Sequence, residues 1–306
     1  MGLDTYIGLA KRSSSTTVLN VRNEDIHFYS IPTRPLSDIL KNASYQSFTL
    51  DISDSSMGKL TINTSQQGML GVGGFKTAHD GWLTLVPPPV SGLGSLTRHK
   101  IVVKRPFHKV FAPGQSTGHY KIGRFALANE VPKLFREANV LYWAKSLLQF
   151  TYDFIDHCIS SSSHQDCPHI PRVRFVEAGL EFAYDQGPQG LACAASTSSA
   201  GFNTGSTRAA FLLEELIAGE DVFQKFIHNM DANPLLDEHE SGYDFALFLA
   251  FTQHVQYVKT GGLAIISDYQ GTPTEFNIFG YVPTDFTLQA CGGCEKQALS
   301  ETTQVG

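Results

Sequence analysis

The stretch that most restricts the fold is "NEVPKLFREANVLYWAKSLLQFTYDFIDHCI", Asn129 to Ile159. Leu134, Leu141, Leu148 and Ile155 recur at heptad-like spacing along it. That spacing marks one apolar stripe on a long helix, with Asn129 or Glu130 as its N-terminal cap. Short strand-like runs flank it: "FTLDIS" and "KLTINT" before Thr64, "HKIVVKRPF" from His99, then "RVRFVEAGLEFAYD" and "RAAFLLEELIAG". The last two are separated by a Gly/Ser/Thr/Ala-rich stretch, which reads as a long loop over 187–206. Tyr243 to Val258 is apolar nearly all round and reads as a buried helix ended by Gly261-Gly262. Strands gathered around one long helix, then a second helical half, predict an α+β chain of two lobes with a hinge. The expected divisions are an N-terminal segment 1–44, loosely ordered where it is Ser/Thr-rich, an N-lobe 45–213, and a hinge with a C-lobe 214–306.

Composition narrows the class. With 42% hydrophobic and 17% charged residues, 306 residues can bury a substantial core. A formal charge of −6 argues against nucleic acid as the main partner. No apolar run is long enough to span a bilayer, and no signal-peptide core follows Met1. Five cysteines are an odd number, and Cys158, Cys167 and Cys193 are scattered, which suits a reducing compartment, so a cytoplasmic, intracellular protein without membrane attachment is expected.

Three places could carry chemistry. "GVGGFK" offers Gly71, Gly73 and Gly74, whose backbone N–H groups could approach phosphate oxygens; a plain hairpin turn uses the same residues. "VVK" places Lys104 near a strand end, with Glu137 on the following helix as a carboxylate able to pair with it. "GGLAIISDYQG" is an apolar run, read as a central strand from Leu263 to Ile266, that stops on Asp268 and Gln270. Side chains two apart on a strand share a face, so these two could grip one metal–phosphate group; they could equally open a polar loop. No H-R-D or D-F-G occurs, and the Gly loop is not G-x-G-x-x-G, which departs from ordinary protein kinases.

Taken in order, "GGFKTA", "VVKRPF", "EANVLYWAKSLL", "LLEELIAGEDVFQKFIHN" and "AFTQHVQYVKTGGLAIISDYQG" resemble the α-kinases, atypical Ser/Thr protein kinases, and look most like their fungal branch. The likeness covers roughly Gly71 to Gly271. It implies a two-lobed kinase-like fold with an ATP cleft between the lobes, Mg²⁺ as cofactor and a protein Ser/Thr acceptor as partner. It also implies that Lys104 touches the ATP phosphates with Glu137 orienting it. The hinge at Glu214, Glu215 and Leu216 would take the adenine, Glu215 foremost, and Asp268 and Gln270 would sit at the metal–phosphate end. A structural Zn²⁺ would use His254, Cys291 and Cys294.

The pattern breaks after Gly271. The family's Thr-Asp-Pro is matched only by Thr284-Asp285-Phe286, which leaves Asp285 as a displaced base. "QACGGC" lacks the family's His, and Cys193, His157 or His239 would have to complete a four-ligand zinc site. The substrate-binding Gly/Asn segment has no counterpart. Two rivals therefore stand beside an active kinase: a pseudokinase that binds nucleotide and serves as an interaction module, and a zinc-stapled binding domain indifferent to nucleotide. Oligomeric state has no signature in the sequence.

Overall fold

In the computed structural model, residues 21–65, 67–111, 120–161, 170–184, 207–217, 223–228, 232–272 and 275–278 are described. In chain order the strands are β1 (Val21–Ser30), β2 (Ser56–Asn63), β3 (Met69–Val72), β4 (Lys76–Leu85), β5 (His99–Pro106), β6 (His108–Val110) and β7 (Lys121–Gly123). They continue with β8 (Arg174–Phe175), β9 (Ala178–Tyr184), β10 (Thr207–Glu215), β11 (Gln224–Lys225), β12 (Tyr269–Gly271) and β13 (Glu275–Ile278). The helices are α1 (Leu36–Lys41), α2 (Leu127–Ser161) and α3 (Tyr243–Lys259). The chain is thus α+β.

Seven strands form one sheet in the order β2-β1-β9-β10-β5-β4-β3, and β2 also pairs with β4. That extra antiparallel pairing, Gly58 opposite Leu85 through Ile62 opposite Gly81, closes all but β3 into a barrel. Closure removes the sheet's free edges there. Every strand of the ring contributes to the inside: Ile26, Phe28, Leu60, Ile62, Leu83, Leu85, Ile101, Val103, Ala183, Ala209, Phe211 and Leu213 form one buried cluster. Alternation turns Leu180, Phe182, Ala210 and Leu212 outward against Leu134, Ala138, Leu141 and Tyr142 of α2. The heptad stripe of α2 is buried as expected, but the helix starts at Leu127, so Asn129 and Glu130 lie inside it. A smaller sheet, β11-β12-β13-β8, lies at the far end of the chain path and is joined to the barrel through β8–β9 and β10–β11.

Four local readings need correction or refinement. Val21–Ser30, partly within the polar opening, is a full barrel strand that buries Ile26 and Phe28; residues 1–20 lie outside the described residues. "FTLDIS" is not a strand, because the Asp51 side chain accepts the Ser53 N–H at 2.9 Å and starts a 3₁₀ turn over Ile52–Asp54. The α3 helix is not buried all round, since Leu247, Phe251, His254, Tyr257 and Val258 are exposed. Leu263 to Ile266 is not a strand; its backbone groups are taken elsewhere, as described below. The end of α3 is as expected: Gly261 and Gly262 have φ of 64° and 82°. Their N–H groups reach Val258 O at 3.2 Å and Tyr257 O at 2.7 Å, the reciprocal bonds of a Schellman motif.

Polar side chains also face the barrel interior, among them Thr77, His79 and Glu181. Glu181 sits opposite Phe28 and Phe211, both inside, and is fully buried, with neither carboxyl oxygen hydrogen-bonded to a described residue. Burial pushes its pKa well above the ordinary value of 4.5. The folded chain therefore retains a proton that the unfolded chain releases, and stability falls as pH rises above that ordinary value, by about 1.4 kcal/mol per pH unit until the folded pKa is reached. Glu181→Leu is expected to remove this slope and raise stability at pH 7 by about 1–3 kcal/mol. Urea unfolding at pH 5 and pH 7 checks it; equal slopes for wild type and variant would refute it. Among the described residues, no helix is long and apolar enough to cross a membrane.

Candidate functional site

The outward faces of β4, β5 and β10 carry the first half of the site. Lys104 on β5 stands opposite Ala78 of β4 and Leu212 of β10. Alternation puts Lys76 on the same face of β4 as Ala78, and Glu214 on the same face of β10 as Leu212. Lys104 Nζ lies 2.5 Å from Glu214 Oε2, and both side chains are nearly inaccessible. Lys76, also buried, makes its ion pair with Glu137, projecting from α2 and about one-third exposed. The assignment of Glu137 to Lys104 is therefore corrected: strand register brings Glu214 to Lys104, leaving Glu137 to Lys76. The two pairs still feel one another. Burial pulls the Lys104 pKa down, Glu214 opposes that most strongly, Lys76 adds to it, and Glu137 also opposes it. Two lysines and two carboxylates form one compact group of zero formal charge.

The β3–β4 hairpin borders this group. Gly73 N–H donates to Lys76 O at 2.8 Å and closes the turn, and Phe75 at the turn is 79% exposed. A Cβ added at Gly71 or Gly74 would meet nothing within 4 Å, and neither glycine has a positive φ. Among the described residues nothing thus requires glycine at either position. An incoming group that needs close approach to the backbone is a physical reason for it.

Glu215 and Leu216 follow Glu214 at the end of β10. The Glu215 carboxylate holds Arg174 in a two-pronged pair at 2.7 and 3.1 Å and accepts the Glu177 N–H at 3.2 Å. Its own N–H donates to Glu177 O at 2.8 Å. Burial pushes the Glu215 pKa up, but Arg174 and the Glu177 N–H outweigh it and hold the carboxyl below its usual range. In this conformation the N–H and carboxylate of Glu215 latch the two crossings between the sheets. Leu216 is half-buried beside them.

The second half of the site lies on the small sheet. Asp268, just before β12, has φ of 61° and is the one non-glycine residue with positive φ among the described residues. The alternation argument for Asp268 and Gln270 therefore fails, because Asp268 is outside the strand. Lys225 of β11 replaces it as the link. It stands directly opposite Gln270, so the two share a face, and its ammonium pairs with the buried Asp268 carboxylate. Gln270 Nε2 is buried, with no hydrogen-bond partner among the described residues. A carboxylate and an amide oxygen are donors that a hard cation such as Mg²⁺ accepts, so the residues fit that ion in type, with Lys225 now holding the positive charge there.

Asp285, Cys291, Cys294 and Cys193 lie outside the described residues. His254 is exposed on α3, and His157 and His239 are exposed as well. Among the described residues no group of three or more His, Cys, Asp or Glu side chains is placed to hold a metal ion. Sequence reasoning missed Lys76 and Lys225 as charges of the site. Lys76 ends the quoted "GVGGFK", and period-2 alternation along "KTAHDGWLTL" could have singled it out. Nothing local marks Lys225.

No protein-family model matches the chain. No curated protein matches it either. Among solved structures it is similar to the apoenzyme α-kinase domain of myosin-II heavy chain kinase A, at 13% identity over 87% of this chain and 83% of that one, with a TM-score of 0.42. An inactive α-kinase domain of myosin heavy chain kinase A in complex with ATP is similar at 11% identity, over 84% and 83%, with a TM-score of 0.43. The same kinase's domain with AMP-PNP gives 11% identity, 83% and 80% coverage, and a TM-score of 0.41.

Proposed function

We propose that this protein binds Mg·ATP and is an α-kinase-type protein kinase that transfers the γ-phosphoryl group to a Ser or Thr hydroxyl of a protein, within the cytoplasm. The observation that carries the reading is the buried Lys76–Glu137 and Lys104–Glu214 group beside a hairpin whose Gly71 and Gly74 would meet none of the described residues with an added Cβ. The group is neutral as it stands, and in this reading an incoming polyphosphate replaces Glu214 at Lys104, so that the buried lysines beside approachable backbone meet its oxygens. The sequence likeness from "GGFKTA" to "SDYQG" supports the same assignment. In this reading the N-lobe spans 45–213 and the hinge and C-lobe 214–306. Glu214 releases Lys104 toward the phosphates, and the adenine lies against the hinge near Leu216.

Mg²⁺, held by Asp268 and Gln270, would neutralise charge on the phosphates. The acceptor oxygen attacks the γ-phosphorus, the bond from that phosphorus to the β–γ bridging oxygen breaks, and ADP leaves. The hydroxyl proton passes to a base, for which Asp285 is proposed. Lys76 and Lys104 would draw off the charge that develops on the leaving phosphates, and Lys225, paired with Asp268, would stand as a further cation beside the transferring group. Zinc at His254, Cys291 and Cys294 belongs to this proposal as a staple of the C-lobe.

A second reading has its own observation. Lys76, Lys104, Asp268 and Glu215 are all engaged by internal partners, as in a cleft that has become structural. A pseudokinase would bind Mg·ATP without transferring phosphate. Incubation with radiolabelled Mg·ATP and a generic Ser/Thr protein, beside a melting curve with and without Mg·ATP, separates the cases. Label in the acceptor together with a raised melting temperature is the expected result. A raised melting temperature without label would establish the pseudokinase, and neither effect would end the nucleotide assignment.

A further inference from the structure

Two amide side chains on α3 hold the chain on either side of Asp268, whose φ is 61°. Ile266, two residues earlier, has both backbone groups taken from that helix: its N–H donates to Gln256 Oε1 at 2.8 Å, and its carbonyl accepts Gln253 Nε2 at 2.7 Å. One residue after Asp268, the Tyr269 hydroxyl lies 3.2 Å from Thr252 Oγ1 and accepts from Gln256 Nε2 at 3.5 Å. Gln256 Nε2 also donates to Thr151 Oγ1 of α2 at 3.1 Å. Gln256 therefore grips the chain on both sides of Asp268 and is itself tied to the central helix. Thr151, Thr252, Gln253, Gln256 and Tyr269 are all buried. A buried amide has one acceptor and two donors, and Gln256 uses all three, so any other orientation would leave a buried group unsatisfied.

This clamp also explains why the apolar run before Asp268 is not a strand. Ladder formation needs the N–H and carbonyl of Ile266, and the helix side chains have them instead. Thr260 Oγ1 does the same at Ala264, lying 3.2 Å from both its N and its O. The chain that carries Asp268 is thus held at Ile266 and again at the Tyr269 hydroxyl. The Asp268 carboxylate stays directed at Lys225, on the face shared with Gln270.

We propose that Gln256, assisted by Gln253, is the positioning residue for Asp268, holding its carboxylate where it can take a divalent cation. The inference rests on the reading of Asp268 as a metal ligand. Outer-shell partners of metal ligands typically change metal affinity by about 10–100-fold when removed. Gln256→Met keeps the volume and deletes the hydrogen bonds, whereas Tyr269→Phe removes a single hydroxyl. Mn²⁺ binding to the protein–ATP complex, followed by electron paramagnetic resonance, would be compared with metal-free binding of a fluorescent ATP analogue.

Gln256→Met is expected to weaken Mn²⁺ binding about tenfold while metal-free nucleotide affinity stays within about twofold, and Tyr269→Phe to shift Mn²⁺ binding by about two- to threefold in the same direction. A lowered melting temperature with unchanged Mn²⁺ affinity in both variants would make the clamp merely structural and overturn the inference. Asp268→Asn is the control: if it too leaves Mn²⁺ affinity unchanged, the metal reading of Asp268 fails and takes the inference with it. If it weakens Mn²⁺ and the clamp variants do not, only the positioning role is lost. Should Gln256→Met fail to fold, Tyr269→Phe and Thr151→Val decide by the same criteria.

Discussion

Lys104→Met is expected to lose phosphotransfer by at least about 10²–10³-fold, the cost of deleting one fixed charge from a water-poor phosphate site. It is also expected to weaken the fold. Glu214, 3% exposed, would keep its buried carboxylate with its nearest cation gone, and breaking such a pair from one side costs about 3–5 kcal/mol. A simple loss of activity would therefore be ambiguous. The double variant Lys104→Met/Glu214→Leu removes both charges and is expected to recover most of the stability, because replacing a whole buried pair by apolar residues of similar size is close to neutral. Activity should not return with it. Urea unfolding and radiolabel transfer on the same preparations give the answer. A double variant as active as wild type would remove Lys104 from the mechanism, leaving the pair as a structural feature of β5 and β10.

That same pair shows where sequence reading stops. The helix α2 was legible because its stripe is local: seven-residue spacing is enough to predict a buried face. The Gly261-Gly262 stop was legible for the same reason. Which acid meets Lys104 is decided by register between strands far apart in the chain, with Leu212 opposite Lys104 and Ala78 opposite it on the other side. Sequence showed Glu137 on the next helix and could not show that β10 brings Glu214 closer. Barrel closure, which depends on β2 meeting β4, was hidden likewise.

The stretch from Leu263 to Ile266 failed for another reason. Its apolar composition signals burial only in part, since Ala264 and Ile266 are buried while Leu263 is exposed, and burial does not say what satisfies the backbone. Here Gln253 and Gln256 do, and helix amides in an apolar segment carry no pattern that announces the bond. Glu181 is a similar case: alternation along β9 places it inward, yet the residue type alone argues for the surface.

Asp268→Asn should give the second large effect, and it is a cleaner experiment than Asp268→Ala. At φ of 61° an asparagine is tolerated nearly as well as an aspartate, whereas alanine adds about 1 kcal/mol or more of backbone strain. The asparagine variant is therefore expected to melt close to wild type, with Lys225, about one-third exposed, free to turn its ammonium to water. Phosphotransfer is expected to fall by about 10²-fold or more, since the charge that would hold the cation is gone. Nucleotide binding without metal should remain, because Lys76 and Lys104 stand on a different sheet. Raising Mg²⁺ should recover part of the rate if the defect is affinity for the ion, and none if the carboxylate also orients the phosphate. Lys225→Met discriminates further. If Lys225 only occupies the cation's place, its removal should strengthen Mg²⁺ binding; if it also contacts the transferring group, the rate should fall while Mg²⁺ binding improves. Wild-type transfer by Asp268→Asn would reduce the Asp268–Lys225 pair to a structural contact between the end of α3's following segment and β11, and phosphotransfer would then need another metal ligand altogether.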